Sequence, residues 1–207
     1  MIFRRFIMGV IASAPLLATA IGSAHAQQPT AAAAEAFITQ AGSQLVAIVN
    51  GDASNSQKAD ALRDLVDRIV DVKQVAHYVL GRYNDVATAA QKQQFDTLFH
   101  QLLSYNITYQ IRSYKGISFT VDGSTPQGDD MVVNTTITSP GKAPTSVGWV
   151  IANEAGQLKI IDVIAAGTSL RITTRNDYAS VVADNGGRVA ALLNAMQNQI
   201  NKIAAAQ

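Results

Sequence analysis

The sequence predicts an α+β domain, with helices packed on one face of a curved, mainly antiparallel four-strand sheet. Three observations carry that expectation. Apolar residues recur at helical spacing from about residue 31 to 114. Beyond Gly116 the period shortens to strict alternation, broken by turn-forming residues. After about Thr174 helical spacing returns. Segregated runs of this kind define α+β architecture, because each helix must bury its apolar stripe against a shared sheet.

The opening residues stand apart. Arg4 and Arg5 precede an apolar run from Phe6 to Ile21, and Ala24-His25-Ala26 ends it with small residues flanking a bulky one. Residues 1–26 therefore read as a secretory signal peptide, cleaved before Gln27. Pro15, Ser13 and Gly22 interrupt a run already short of the ~20 apolar residues a membrane span needs. No cysteine follows the small-residue site, which argues against a lipoprotein anchor. Residues 27–207 then form a single domain.

From Ala31 to about Val49 an alanine-rich helix carries Phe37, Ile38, Ala41, Leu45 and Ile48, and Asn50-Gly51-Asp52 stops it. A second helix is expected from about Gln57 to Asp71, and a third from Val72 to Leu80, ending at Gly81. Thr88 opens the longest helix with Gln91 three residues on, the spacing of a capping box. One of its stripes reads Phe95, Leu98, Phe99, Leu102, Tyr105 and Tyr109, a second Leu103, Ile107, Ile111 and Tyr114. A helix apolar on more than one side should be wrapped by other structure.

Four strands follow: Ile117 to Val121, Met131 to Thr138, Ser146 to Ile151, and the nearly continuous apolar run Leu158 to Ile164 around Asp162. Asp122-Gly123, Ser139-Pro140-Gly141 and Asn153 to Gly156 look like the turns of a meander. Two helices, roughly 174–183 and 187–202, close the chain.

Composition narrows the function. Without Arg4 and Arg5 the 16 Lys plus Arg fall to 14, against 15 Asp plus Glu, with no cationic cluster. Nucleic-acid binding is therefore not expected. There is no cysteine, so neither disulfides nor thiol ligands exist. His77 and His100 stand alone on helices, and a metal needs several convergent ligands, so neither metal nor cofactor is expected. Gly186-Gly187 is too short for a phosphate loop.

Asp162 is the exception. A carboxylate inside an apolar strand must find a partner or shift its pKa. One reading is a general base in a sheet-lined pocket, an isomerase- or dehydratase-like enzyme on a cone-shaped fold. The favoured reading is structural, with Arg171, Arg175 or a backbone amide as partner.

Several stretches, taken in order, resemble one family. They are Tyr78-Val79-Leu80-Gly81-Arg82-Tyr83, Thr88 through Phe95 to Leu102, Leu103 and Tyr105, and then Ile161-Asp162-Val163-Ile164-Ala165-Ala166-Gly167-Thr168-Ser169-Leu170. Arg175, Tyr178 and Gly186-Gly187 complete the set. Together they resemble the MlaC-like, toluene-tolerance family of periplasmic phospholipid-binding proteins, over residues from about 35 to 200. Two positions depart: Leu158-Lys159 replaces the usual Trp-Lys, and Thr173-Thr174-Arg175 the frequent Asn-Tyr-Arg.

The resemblance implies a cone-like fold enclosing an apolar cavity for acyl chains, and a non-enzymatic shuttle in the periplasm. Its ligand would be a phospholipid or hopanoid-type lipid. Its partners would be an inner-membrane ABC lipid transporter complex and an outer-membrane lipoprotein complex. On that reading Phe99, Leu102, Tyr105 and Tyr109 line the tails together with Val133, Ile137, Val147, Trp149 and Ile151. Tyr78 and Leu80 border the mouth. Arg82 and Arg175 are head-group candidates, with structural pairing favoured for both. A carrier has a clear physical purpose: exposing ~30 methylenes at ~0.8 kcal/mol each would cost ~20 kcal/mol or more in water.

Overall fold

The computed structural model describes residues 28–109 and 115–205, without the side chain of Tyr109. The expected signal peptide, and Ile111 and Tyr114 of the second stripe, lie outside the described residues. In chain order the elements are α1 (Ala31–Asn50), α2 (Asn55–Ile69), α3 (Val72–Leu80), a 3-10 turn (Gly81–Asn84), α4 (Ala89–Tyr109), β1 (Ser118–Gln127), β2 (Asp130–Thr138), β3 (Thr145–Glu154), β4 (Gln157–Ala165), β5 (Thr168–Ser169), α5 (Leu170–Asp184) and α6 (Val189–Ala205).

Side-chain caps set most helix starts. Thr30, Ser54, Asp71 and Ser169 each accept a backbone N–H from the first turn of the helix they precede. Thr88 and Gln91 form the expected reciprocal pair, at 3.0 and 3.2 Å. A second such box joins Ser54 and Gln57. At the end of α3 the chain turns at Gly81 with φ 56°, a conformation that a side chain would strain.

The sheet is an antiparallel meander in the order β1-β2-β3-β4-β5. It has five strands rather than the expected four. The fifth is two residues long, too short to leave an alternation in the sequence, and it arises from a tight turn at Ala166 (φ 49°) and Gly167 (φ 76°). Asp122-Gly123, expected as a turn, is a bulge inside β1, where pairing skips from Val121 to Gly123. Asp122 stays useful there: its carboxylate accepts from Thr136 Oγ1 at 2.7 Å and Thr120 Oγ1 at 3.2 Å. The chain reverses instead at Gly128-Asp129.

Burial divides into layers. Between α1 and the sheet lie Ala34, Ile38, Met131, Val133, Ile151 and Ile160. Alternation puts Val132, Val150, Ala152 and Ile161 on the other face of the sheet. A helical cluster of α3, α4, α5 and α6 is built around Phe95, Leu102, Leu192 and Met196. The α2–α3 junction crosses the edge of β4, where Asp71 N donates to Ile160 O at 3.1 Å. That crossing fastens the helical cluster to the sheet.

Candidate functional site

Three of the stretches that carry the family resemblance, around Tyr78, Asp162 and Arg175, meet where α3, β4 and α5 join. A bulge at Ile161 shifts the register of β4, so that Val150 faces Asp162 while Ile151 faces Ile160. The Asp162 carboxylate accepts from Val163 N at 2.7 Å, from Arg171 N at 2.9 Å and from Ser169 Oγ. Ser169 in turn accepts from Ile172 N at 3.0 Å, capping α5. Arg171 Nε stands 3.9 Å from the same carboxylate. Asp162 is thus a structural hub, satisfied by the first turn of the helix it anchors.

Tyr78 supplies the base of this junction. The Arg171 guanidinium lies 4.1 Å from its ring centroid and that of Arg175 4.9 Å, both within cation–π range. Gly81 makes the second contact possible. A Cβ at that position would lie 2.9 Å from Arg175 Nε. Arg82 donates to Tyr83 Oη at 3.0 Å, and Tyr83 Oη donates to Ala179 O at 3.3 Å. Gln74 reaches Glu154 at 2.7 Å, which ties α3 to the end of β3. Nearby, burial raises the pKa of Asp130, opposed by the Arg171 charge and reinforced by Asp129 and Glu154.

The predicted lining residues fall into two separate groups. Leu80, Phe99 and Leu102 are buried in the helical cluster, with Tyr105 packed at its edge. Val133 and Ile151 are buried between α1 and the sheet, and half-buried Trp149 packs beside them with Nε1 donating to Thr135 Oγ1 at 2.9 Å. Val147 is buried opposite Thr135, and half-buried Ile137 pairs with Phe119. Tyr78 is half-buried under the two arginines, and the Tyr109 side chain lies outside the described residues. The expected meeting of long helix and sheet is absent for Phe99 and Leu102, because α4 packs chiefly on α6, α2 and α3. Helical periodicity shows that a stripe is apolar without saying what covers it.

Two depressions formed by described residues lie elsewhere. One, about 260 Å³, is bordered by Val86, Gln91 and residues 187–190. The other, about 360 Å³, runs along the glutamine-rich flank of α4 to Gln197. None of the predicted lining residues borders either.

Three contacts escaped the sequence reading. Ser169 appeared only as part of a motif, yet it links Asp162 to the α5 cap. Tyr78 pairs with two arginines spaced i, i+4, a spacing that was readable once α5 was known to begin at Leu170. Glu35, the one charged residue of α1, accepts from Ser124 Oγ at 2.7 Å. A lone charge in an alanine-rich helix was the available signal.

Fold and site together define an α+β domain whose motif residues brace a helix–sheet junction. The family model for MlaC protein matches residues 39–198. The chain belongs to the MlaC family. It is 22% identical over 138 residues to the intermembrane phospholipid transport system binding protein MlaC of Haemophilus influenzae, covering 64% of each chain. The chain therefore spans about 64% of that relative's length. Its fold is similar to that of a phospholipid-binding protein from Ralstonia solanacearum solved in complex with a phospholipid. That match has a TM-score of 0.72 and 24% identity, and it covers 83% of this chain and 98% of the other.

Proposed function

We propose that residues 27–207 form a periplasmic phospholipid carrier, released from a signal peptide at residues 1–26, which shuttles lipid between membranes rather than catalysing a reaction. The observation that carries this reading is the family match over residues 39–198. The relatives' names, intermembrane phospholipid transport and phospholipid binding, supply the ligand class. An inner-membrane ABC-type lipid transporter complex and an outer-membrane lipoprotein complex are the partners such traffic requires. A phospholipid is the first expectation for the cargo, and a hopanoid-type lipid the second.

Room for the tails opens between α1 and the sheet. From α1 that interface takes Ala34 and Ile38 with half-buried Phe37, and four of the helix's twenty residues are buried. Outside its apolar contacts α1 is fastened near its start by the Glu35–Ser124 hydrogen bond and at its end by Asn50, which donates to Ile117 O and accepts from Gly116 N, so an opening would hinge at Asn50. Lifting it would uncover Val133, Trp149 and Ile151 for acyl chains, with Val147 and Ile137 further along the same face. Leu80, Phe99, Leu102 and Tyr105 belong to the helical cluster instead, and on this reading they support the fold rather than touch the tails. A carrier that must release its cargo needs such a two-state element, since full recovery of the transfer energy as affinity would trap the lipid.

Protein purified without detergent from a Gram-negative host, extracted and analysed by mass spectrometry, should yield a phospholipid in stoichiometric amount. Repeated extraction of none, together with no uptake from phospholipid vesicles, overturns the reading.

A further inference from the structure

We propose that α1 is a membrane-docking element: lifted from the sheet, its apolar face lies in the surface of a phospholipid bilayer while lipid enters or leaves the space beneath it. The proposal rests on the carrier reading for its purpose, and on α1 alone for the surface.

Composition set against burial is the first argument. Among the described residues α1 is the one helix long and apolar enough to cross a membrane. In a soluble protein such a helix normally lies in the core, yet only four of its twenty residues are buried. It has one charged residue, Glu35, and no basic one, so an apolar boundary takes little charge out of water. Its polarity is also sided. Ala34, Phe37 and Ile38 face the sheet, whereas Ala36, Thr39, Gln40 and Ser43 are exposed. Sidedness of that kind suits a helix lying in a membrane surface rather than spanning it.

Mechanics is the second. The hinge at Asn50 holds Ile117 O and Gly116 N, and about 18 Å of helix separates it from Ile38. Two polar fastenings hold the moving end. Gln28 Nε2 donates to Gly128 O at 2.8 Å and Asp130 O at 3.5 Å, and Ser124 Oγ donates to Glu35 at 2.7 Å. The helix closes its own ends, with Thr30 Oγ1 accepting from Ala33 N and Gly51 N donating to Ala47 O. It can therefore swing as a rod without unwinding.

Energetics then selects the occupant. In water, lifting α1 exposes Phe37 and Ile38 together with Val133 and Ile151, which the hydrophobic effect opposes. At a bilayer, acyl chains cover the helix face while the exchanging lipid covers the sheet. The membrane thus acts as a ligand of the open state. Cargo stays enclosed between membranes and is exchanged at one.

The test is sedimentation with phosphatidylcholine vesicles at millimolar lipid. It compares wild type with E35C/S124C before and after linking by a short bis-maleimide, which holds α1 to β1. Wild type and the unlinked variant should sediment about tenfold more than the linked one, the factor that burying one large apolar side chain supplies. High salt should change this little, since the helix carries a single charge. On the vesicles, a fluorophore at F37C should be quenched by doxyl-labelled lipid more than one at S43C. Equal sedimentation of linked and unlinked protein, loss of sedimentation at high salt, or equal quenching at the two positions means that another surface touches the membrane, and overturns the proposal. Wild type that stays in the supernatant overturns it too, and if that protein has taken up lipid the carrier reading stands. Wild type that sediments through α1 but carries no lipid away upholds the docking and sinks the carrier reading.

Discussion

The ring of Phe119 on β1 occupies the place where a side chain on Gly42 of α1 would begin. A Cβ at Gly42 would lie 2.3 Å from Phe119 Cζ. Gly42→Val should therefore force helix and strand apart and destabilise the fold by about 1–3 kcal/mol, as overpacking does. Adding Phe119→Ala should recover part of that loss, because neighbouring substitutions couple. Urea denaturation of the two single variants and the double variant measures the coupling, and additive losses would refute the contact.

Asp162→Asn should leave a folded but weaker protein. The amide retains an acceptor oxygen but loses the charge that faces two backbone N–H groups, the Ser169 hydroxyl and Arg171. A loss of about 1–3 kcal/mol is expected for a buried charge-assisted network. Ser169→Ala should cost about 1 kcal/mol as a lost helix cap. Far-ultraviolet circular dichroism through a denaturant series checks both. A stable Asp162→Asn protein would return the carboxylate to the list of unexplained buried charges.

These contacts show how far the sequence could be read. The end of α3 at Gly81, the Thr88–Gln91 box and the pairing of alternating strands follow from local chemistry, and they appear as expected. The expected start of the next-to-last helix near Thr174 was late, because its cap is Ser169, hidden at the end of an apolar strand. Asp122-Gly123 has turn composition, yet the threonines at 120 and 136 hold it inside a bulge. The lining of a site was least legible. Phe99 and Val133 carry the same apolar signal, but one faces helices and the other faces α1.

Acidification should relieve Asp130. Burial raises its pKa above the usual 3.8, so the folded protein holds the proton more tightly than the unfolded chain does. Stability from this group therefore falls as pH rises from the unfolded pKa through the folded one, and the full penalty stands at neutral pH. Asp130→Asn should raise the melting temperature at neutral pH, with the gain vanishing below the unfolded pKa. A gain independent of pH would assign the effect to something other than charge.

Tyr178 sets the alkaline limit. Burial, with help from the charge of Asp177, pushes its pKa from 10.0 to about 12. Its ring packs edge-on against Phe95, at 6.0 Å between centroids. The folded state keeps the phenolic proton where the unfolded chain has lost it, so stability declines as pH rises from 10.0 to about 12. Tyr178→Phe should flatten that decline, read as melting temperature against pH. An unchanged slope would place the alkaline loss elsewhere.

The opening of α1 can be tested by fastening it. Glu35 and Ser124 approach to 2.7 Å across the α1–β1 interface, and the chain contains no cysteine to compete. Glu35→Cys with Ser124→Cys, joined by a short bis-maleimide, would tie the helix to the strand through that same contact. Unlinked, the double variant lacks the native hydrogen bond and should take up vesicle lipid at least as fast as wild type. Linked, it should melt at a higher temperature and take up little, because the inner face bearing Val133 and Trp149 stays covered. The linked protein is its own control for folding, since a higher melting temperature and lost uptake cannot both follow from damage. Equal uptake before and after linking would mean that lipid enters past a different wall, and the helical side around Tyr105 would be the next to fasten.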